Sequence, residues 1–339
     1  MNSAGFGFLL LVIAGLMNAS FAVPMKYTRR WSWENTWMVW TFFALVLLPA
    51  VVAFVTLPYL AEVYRASGFT LLWHVVVFGA GWGLAQVFFG IAVDAIGIAL
   101  TFSLVLGTSA AMGALIPMLM LHSDKLHTSV GHLLLLGIAL LLAGVAICAV
   151  AGRLRDKPAP ATDAAPRKNP TPGLILAILC GALASFQNFG LAFGSPLVNI
   201  AIQHGANPAN ASNAVWLPLL MSGAIPNLLY CIYLLKKNGT SGKFMNAGLG
   251  HWFLAFVMGS FWLGSLLLYG ASVSRLGSLG PALGWPLYMS LIVVAASLLG
   301  IATGEWKQSG RWPLAIQLSG VGVLIVAIII LARASQGLA

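Results

Sequence analysis

Between residues 75 and 121 the chain carries one charged side chain, Asp94, and between 252 and 304 it carries one, Arg275. About 20 apolar residues in a helix cross a bilayer core, so each stretch is too long for a single crossing. Each must fold back near its charge, and the glycines just beyond, Gly97 and Gly277, supply the conformational freedom a tight turn needs. A soluble domain carries about a quarter charged residues; here 7% are charged and 60% hydrophobic. The chain is therefore predicted to be an all-α membrane protein. Apolar runs bounded by charges or Pro/Gly clusters give ten spans, near 5–24, 36–56, 71–93, 96–121, 130–151, 173–194, 212–235, 249–272, 278–302 and 312–332.

One hydrophilic linker, 152–172, holds Arg153, Arg155, Lys157, Arg167, Lys168 and five prolines. It divides the chain into five-helix halves, 1–151 and 173–339. Counting Lys and Arg on alternate loops gives thirteen on the linker's side and four on the other. Basic loops stay in the cytoplasm, so the linker is expected there and both termini outside. The first helix has no basic residue before it, which argues against a cleaved signal peptide. The net charge of +10 sits in these loops and reads as a topology signal, not a nucleic-acid surface. Cys148, Cys180 and Cys231 lie in separate apolar segments without CxxC spacing, so neither a metal site nor a cofactor is expected.

The halves echo each other. Gly79, Trp82, Gly90 and Gly97 match Gly259, Trp262, Gly270 and Gly277 at an offset of 180, as Arg153 matches Arg333. Val39-Trp40 matches Val215-Trp216 at 176, Pro49 matches Pro226 at 177, and Asn18 and Ala22 match Asn188 and Ala192 at 170. Five helices per repeat insert the second copy upside down. The expected architecture is two inverted five-helix repeats, a recurring plan of secondary transporters.

Three motifs then carry a resemblance. Trp31-Ser32-Trp33-Glu34-Asn35-Thr36-Trp37, Phe78-Gly79-Ala80-Gly81-Trp82-Gly83, and Glu305-Trp306-Lys307 with Gly310-Arg311 resemble the bacterial L-rhamnose–proton symporter family of the drug/metabolite transporter superfamily. The similarity runs over nearly the whole chain. It implies uptake of a 6-deoxyhexose with a proton across the inner membrane, both termini periplasmic. The chain departs from the family pattern at Gln86, Gln187-Asn188 and Asp94.

A sugar site needs amides or hydroxyls to replace water and aromatic surface for the C–H face. Intramembrane polar groups usually face the bundle interior. Leu11, Gly15, Asn18, Ala22; Gly79, Gly83, Gln86, Gly90; and Gly181, Ser185, Asn188, Ala192 share one helical spacing, small residues with one amide each. Asn18, Gln86, Gln187 and Asn188 are candidate sugar ligands, with helix packing through an interhelical hydrogen bond as the alternative. Trp82, Trp262, Tyr269 and Trp285 are candidate stacking surfaces. Pro281 and Pro286 bracket Gly284-Trp285 and should free backbone carbonyls. Asp94 is a candidate proton carrier, or a cap for the fourth helix; Glu34 is a second carrier. Glu34 and Glu305, facing Arg30 and Arg311, form a candidate gate.

The competing readings are an exporter of amphipathic drugs or metabolites and, from a different class, a membrane enzyme or a non-transporting sugar receptor. The seven acids lie in loops or at span ends without a catalytic pair or metal motif. No nucleotide-binding loop is present, so ATP-driven transport by this chain alone is excluded. The expected partners are a small sugar, a proton and the lipid bilayer.

Overall fold

The computed structural model describes residues 3–155, 171–277, 279–307 and 309–336. Among these residues ten helices are long and apolar enough to cross a membrane. They are α1 Gly5–Tyr27, α2 Trp33–Thr56, α3 Leu60–Ile96, α4 Leu100–Leu121, α5 Ser129–Arg155, α6 Thr171–Gln203, α7 Asn213–Asn238, α8 Leu249–Val273, α9 Gly280–Ala302 and α10 Arg311–Ser335. No strand occurs among the described residues. In a bilayer each backbone polar group must be satisfied within its own segment, which is why apolar runs of this length become helices.

The crossings alternate, so the chain has two faces. The start of α1 and the end of α10 lie on what we call the terminal face. The ends of α5 and α6 that flank 156–170 define the linker face; the inner linker, with Lys157, Arg167 and Lys168, lies outside the described residues. Its expected edges, 152–155 and 171–172, are helical.

Helix α5 runs along α10, α3 packs on α6 and α7, and α1 on α8 and α9. Helix α2 lies against α7 and α8, and α4 against α5, α6 and α9. Glycines set the closest approaches, as expected where lipid gives no hydrophobic drive to helix association. A Cβ on Gly79 would overlap the Leu219 carbonyl and one on Gly83 the Gly223 carbonyl, so both residues admit α7. The turn glycines Gly97 and Gly277 adopt φ of 84° and 75°.

Three departures from the sequence expectation bear on the site. Helix α3 begins before residue 71: an amphipathic stretch from Leu60 meets the span at Gly68, with φ 71° and ψ 163°. Its Glu62 and Arg65 mimic a loop, yet Val63 is buried and anchors it. Helix α6 continues past 194 as three segments, Thr171–Ala184, Phe186–Phe193 and Ser195–Gln203. Pro196 sits in the first turn of the last segment, where a missing N–H costs nothing. Asp94 caps nothing: it lies in the last turn of α3, and Gly97 occupies the cap position of the following helix. Within α2, residues Phe42–Leu47 form a π-helix just ahead of Pro49.

Candidate functional site

A cavity of about 550 Å³ lies at the terminal face, its wall including Pro117, Ala192, Asn199, Ser212, Gly270 and Pro281. Of the titratable side chains among the described residues, His122 alone lines it.

Proline chemistry builds the floor. Pro117 in α4 has no N–H to give the carbonyl of Gly113, one turn earlier. Asn188 Nδ2 fills that role, donating to Gly113 O at 2.7 Å and to Pro281 O at 3.0 Å. Its Oδ1 accepts from Tyr269 OH at 2.5 Å. One side chain thus ties α6 to α4, α9 and α8. The same logic places Tyr64, whose OH donates at 3.1 Å to Ala214 O, the carbonyl that Pro218 leaves without a donor.

Below the floor lies a second polar knot. Asn18 Nδ2 donates to Ser265 Oγ at 3.1 Å and to Tyr288 OH at 2.7 Å, and those two oxygens are 2.7 Å apart. Tyr288 stacks on Tyr269 with ring centroids 5.0 Å apart. Trp285 packs beside both tyrosines, and its Nε1 donates to Ser109 O at 3.0 Å. A Cβ on Gly113 would strike the Trp285 indole. Further toward the linker face, Trp82 stacks on Trp262 at 5.4 Å and 29°, and Trp40 meets Trp262 edge-on at 5.4 Å.

Hydrogen bonds and ion pairs cross the linker face. Trp31 Nε1 donates to Lys243 O at 3.2 Å, Lys243 Nζ to Ser32 Oγ at 2.7 Å, and Asn35 Nδ2 to Thr240 O at 3.1 Å. Glu34 Oε1 accepts from Thr240 Oγ1 at 2.6 Å and Asn238 Nδ2 at 3.1 Å. The Trp31–Trp37 motif therefore clamps onto the connection between α7 and α8. Glu305 pairs with Lys26 at 3.2 Å and with Arg155 at 3.4 Å, and the Arg155 guanidinium lies over the Trp306 ring at 5.1 Å.

The site residues read from sequence fall into three groups. Asn18, Asn188, Tyr269 and Trp285 meet in the floor and the knot, where Asn18 Nδ2, both amide atoms of Asn188, Tyr269 OH and Trp285 Nε1 are bonded to protein. Trp82 and Trp262 meet in the indole stack. Gln86 is half-buried and makes no hydrogen bond among the described residues, while Gln187 is buried with Nε2 unpartnered. Asp94 stands exposed at the end of α3. Glu305 finds Lys26 and Arg155, whereas Arg30 and Arg311 are exposed and make no ion pair among the described residues. Sequence reasoning missed Ser265 and Tyr288. Their signal was spacing: Ser265 falls on the helix face shared by Trp262 and Tyr269, and Tyr288 lies three residues beyond Trp285.

Comparisons with known proteins agree with the resemblance. The sequence model of the family described as L-rhamnose-proton symport protein (RhaT) matches residues 1–337. The chain is 28% identical over 334 residues to an L-rhamnose-proton symporter of Salmonella typhi, covering 96% of each chain. It is 29% identical over 334 residues, with the same coverage, to one of Cronobacter sakazakii. A crystal structure with 16% sequence identity aligns at a TM-score of 0.53 over 96% of this chain and 94% of that one, which shows a shared fold alone. With ten helices long and apolar enough to cross a membrane among its described residues, this chain belongs to the L-rhamnose-proton symport protein (RhaT) family, a family of transporters and not of enzymes.

Proposed function

We propose that this chain takes up L-rhamnose or a close 6-deoxyhexose, with a co-transported proton, across the bacterial plasma membrane by alternating access. The relatives' names supply the substrate class. The observation that carries the reading is a cavity of about 550 Å³ at the terminal face, with hydrogen bonds and ion pairs across the linker face. That volume falls in the range of about 300–1,000 Å³ usual for small-molecule sites. A wall that holds no Lys, Arg, Asp or Glu among the described residues suits a neutral sugar. Thirteen of the seventeen Lys and Arg residues on the linker side support a cytoplasmic linker and periplasmic termini. The arrangement is then outward-facing.

The helix contacts support an inverted repeat that would drive the exchange. Swapping α1–α5 with α6–α10 maps the pair α3–α6 onto α8–α1, α4–α6 onto α9–α1, and α3–α7 onto α8–α2. The pairs α2–α7, α4–α9 and α5–α10 map onto themselves. The cytoplasmic gate in this scheme is the Glu34 clamp together with Glu305 between Lys26 and Arg155. Gln187, Asn188, Gln86 and Asn18 lie outside the residues that line this cavity and stay proposals as amide ligands; Glu34 is the proposed proton carrier, with Asp94 the alternative.

Uptake into proteoliposomes tests the reading. Radiolabelled L-rhamnose should accumulate when an inward proton gradient is imposed, and should exchange by counterflow without one. Transport of rhamnose that ignores the gradient would reject symport, and a failure to move any deoxyhexose would reject the substrate class.

A further inference from the structure

None of the four amides singled out by sequence lines the terminal-face cavity, but Asn199 does. It belongs to the last segment of α6, Ser195–Gln203, beyond the point where the apolar run of that span was expected to end. At 3.6 residues per turn, Ser195, Val198, Asn199 and Ile202 fall within an arc of about 100°, and all four line the cavity. Leu197 and Ala201 fall on a separate arc and are fully buried, and the segment packs on α3 and α7. An aliphatic seam thus anchors this short helix, while another side of it presents a hydroxyl and an amide, one turn apart, to the open space.

Neither polar side chain is engaged by the protein. Ser195 and Asn199 are exposed, and neither side chain makes a hydrogen bond among the described residues. Other polar groups on the wall are less available: Ser274 Oγ donates to Ala271 O at 2.9 Å, and Ser212 Oγ is buried against Gly270. Asn199 carries the one side-chain amide among the described lining residues, and no Lys, Arg, Asp or Glu shares the wall with it. An asparagine offers two donors and an acceptor, and a serine hydroxyl both donates and accepts. Most of the remaining wall is aliphatic or proline.

We infer that Asn199, assisted by Ser195, is a specificity-determining contact for the sugar in this cavity. Its amide brackets two neighbouring ring hydroxyls, donating to one and accepting from the other. Ser195, with its Cβ about 5–6 Å away on the same helix face, reaches a further oxygen of the same ring. The aliphatic remainder suits the C–H face and the methyl group of a 6-deoxy sugar. An organic cation or a carboxylate would find no counter-charge here. This deepens the sugar-uptake reading and rests on it.

The test is isothermal calorimetry on the purified full-length chain with L-rhamnose and with each form of it that lacks one ring hydroxyl. Asn199→Leu, close in size but without hydrogen bonds, should weaken L-rhamnose binding about tenfold, and Ser195→Ala about threefold. Because neither side chain bonds the protein, both variants should melt as wild type does. At least one deoxy form should bind wild type about threefold more weakly than rhamnose, yet bind Asn199→Leu no worse than rhamnose does. A role in packing alone would not produce that pairing. Wild-type affinity in Asn199→Leu, an equal loss for every sugar, or a loss matched by a fall in melting temperature would overturn the assignment and leave sugar uptake standing. A wild type that binds neither L-rhamnose nor any deoxy form would overturn the sugar reading and this assignment together.

Discussion

Trp82 and Trp262, matched at an offset of 180 in the sequence, stack on each other in the structure with ring centroids 5.4 Å apart and planes at 29°. Each is buried, and each lies next to a glycine-lined contact: Gly83 against α7, and Gly259 against α2. Removing a buried indole costs about 3–5 kcal/mol, and an aromatic pair adds about 0.5–1.5 kcal/mol beyond its buried area. Trp82→Ala and Trp262→Ala should each lower the melting temperature in detergent, and the double variant should lose less than the sum. Strict additivity would mean the stack contributes nothing as a pair.

Asn188 gives a prediction that reverses the simplest one from sequence. A free amide ligand could be removed at no cost to the fold, but Asn188 bonds Gly113 O, Pro281 O and Tyr269 OH. Asn188→Ala should therefore lower the melting temperature as well as transport. Pro117→Ala restores an N–H for Gly113 O, so the double variant should recover part of the lost stability. Gln187→Ala, which breaks no bond in the protein, should leave melting unchanged and weaken sugar binding. Thermal melts of the four proteins decide it: no rescue by Pro117→Ala would reject the carbonyl-satisfying role.

The spans, the turn glycines and the motifs were legible because each is a local pattern: apolar length, a positive-φ turn, a run of tryptophans. The proposed repeat reads as spacing alone; Trp40 and Trp216, matched in it, each bury an indole nitrogen without a partner. Partners were not legible. The gate was legible as four charges on one face, Glu34, Glu305, Arg30 and Arg311, but its pairs were not: Glu305 meets Lys26 and Arg155, which helix packing brings from the first half. Thr240 and Asn238 look like ordinary loop residues until Glu34 docks on them. The Tyr64 segment hid because Glu62 and Arg65 made it read as a loop, while the bond that uses it, to Ala214 O, spans α3 and α7.

The gate prediction concerns Glu305. Its side chain and that of Lys26 are 43% and 60% exposed, and such pairs contribute little to stability, about 0–1 kcal/mol. Glu305→Lys should leave the melting temperature near wild type but raise labelling of a cysteine placed at the linker face, because two attractions become repulsions. Adding Lys26→Glu should partly restore both protection and uptake. Unchanged labelling in the single variant would reduce Glu305 to an ordinary surface charge.

Orientation has its own check. Cysteines introduced within 156–170 should resist a membrane-impermeant maleimide in intact cells and react after permeabilisation, while cysteines near either terminus should react at once. The opposite pattern would put the linker outside and invert the direction in which the cavity opens.

Proton coupling needs a group that changes protonation between the two faces. Among the described acids Glu34 is buried, 5% exposed, while Asp94 is exposed at the end of α3. Burial is what makes a carboxyl responsive to its surroundings, since desolvation and hydrogen bonding both act on its charged form. Glu34 also loses its partners if the linker face opens, because Thr240 and Asn238 belong to the other half. Our proposal for the coupling group therefore moves from Asp94 to Glu34. Glu34→Gln keeps the shape and an oxygen that accepts from Thr240, but carries no proton. It should retain rhamnose counterflow and lose accumulation driven by a pH gradient, while Asp94→Asn should retain both. Accumulation that survives in Glu34→Gln would leave Glu34 a gate residue only, and its loss in Asp94→Asn alone would return the role to Asp94.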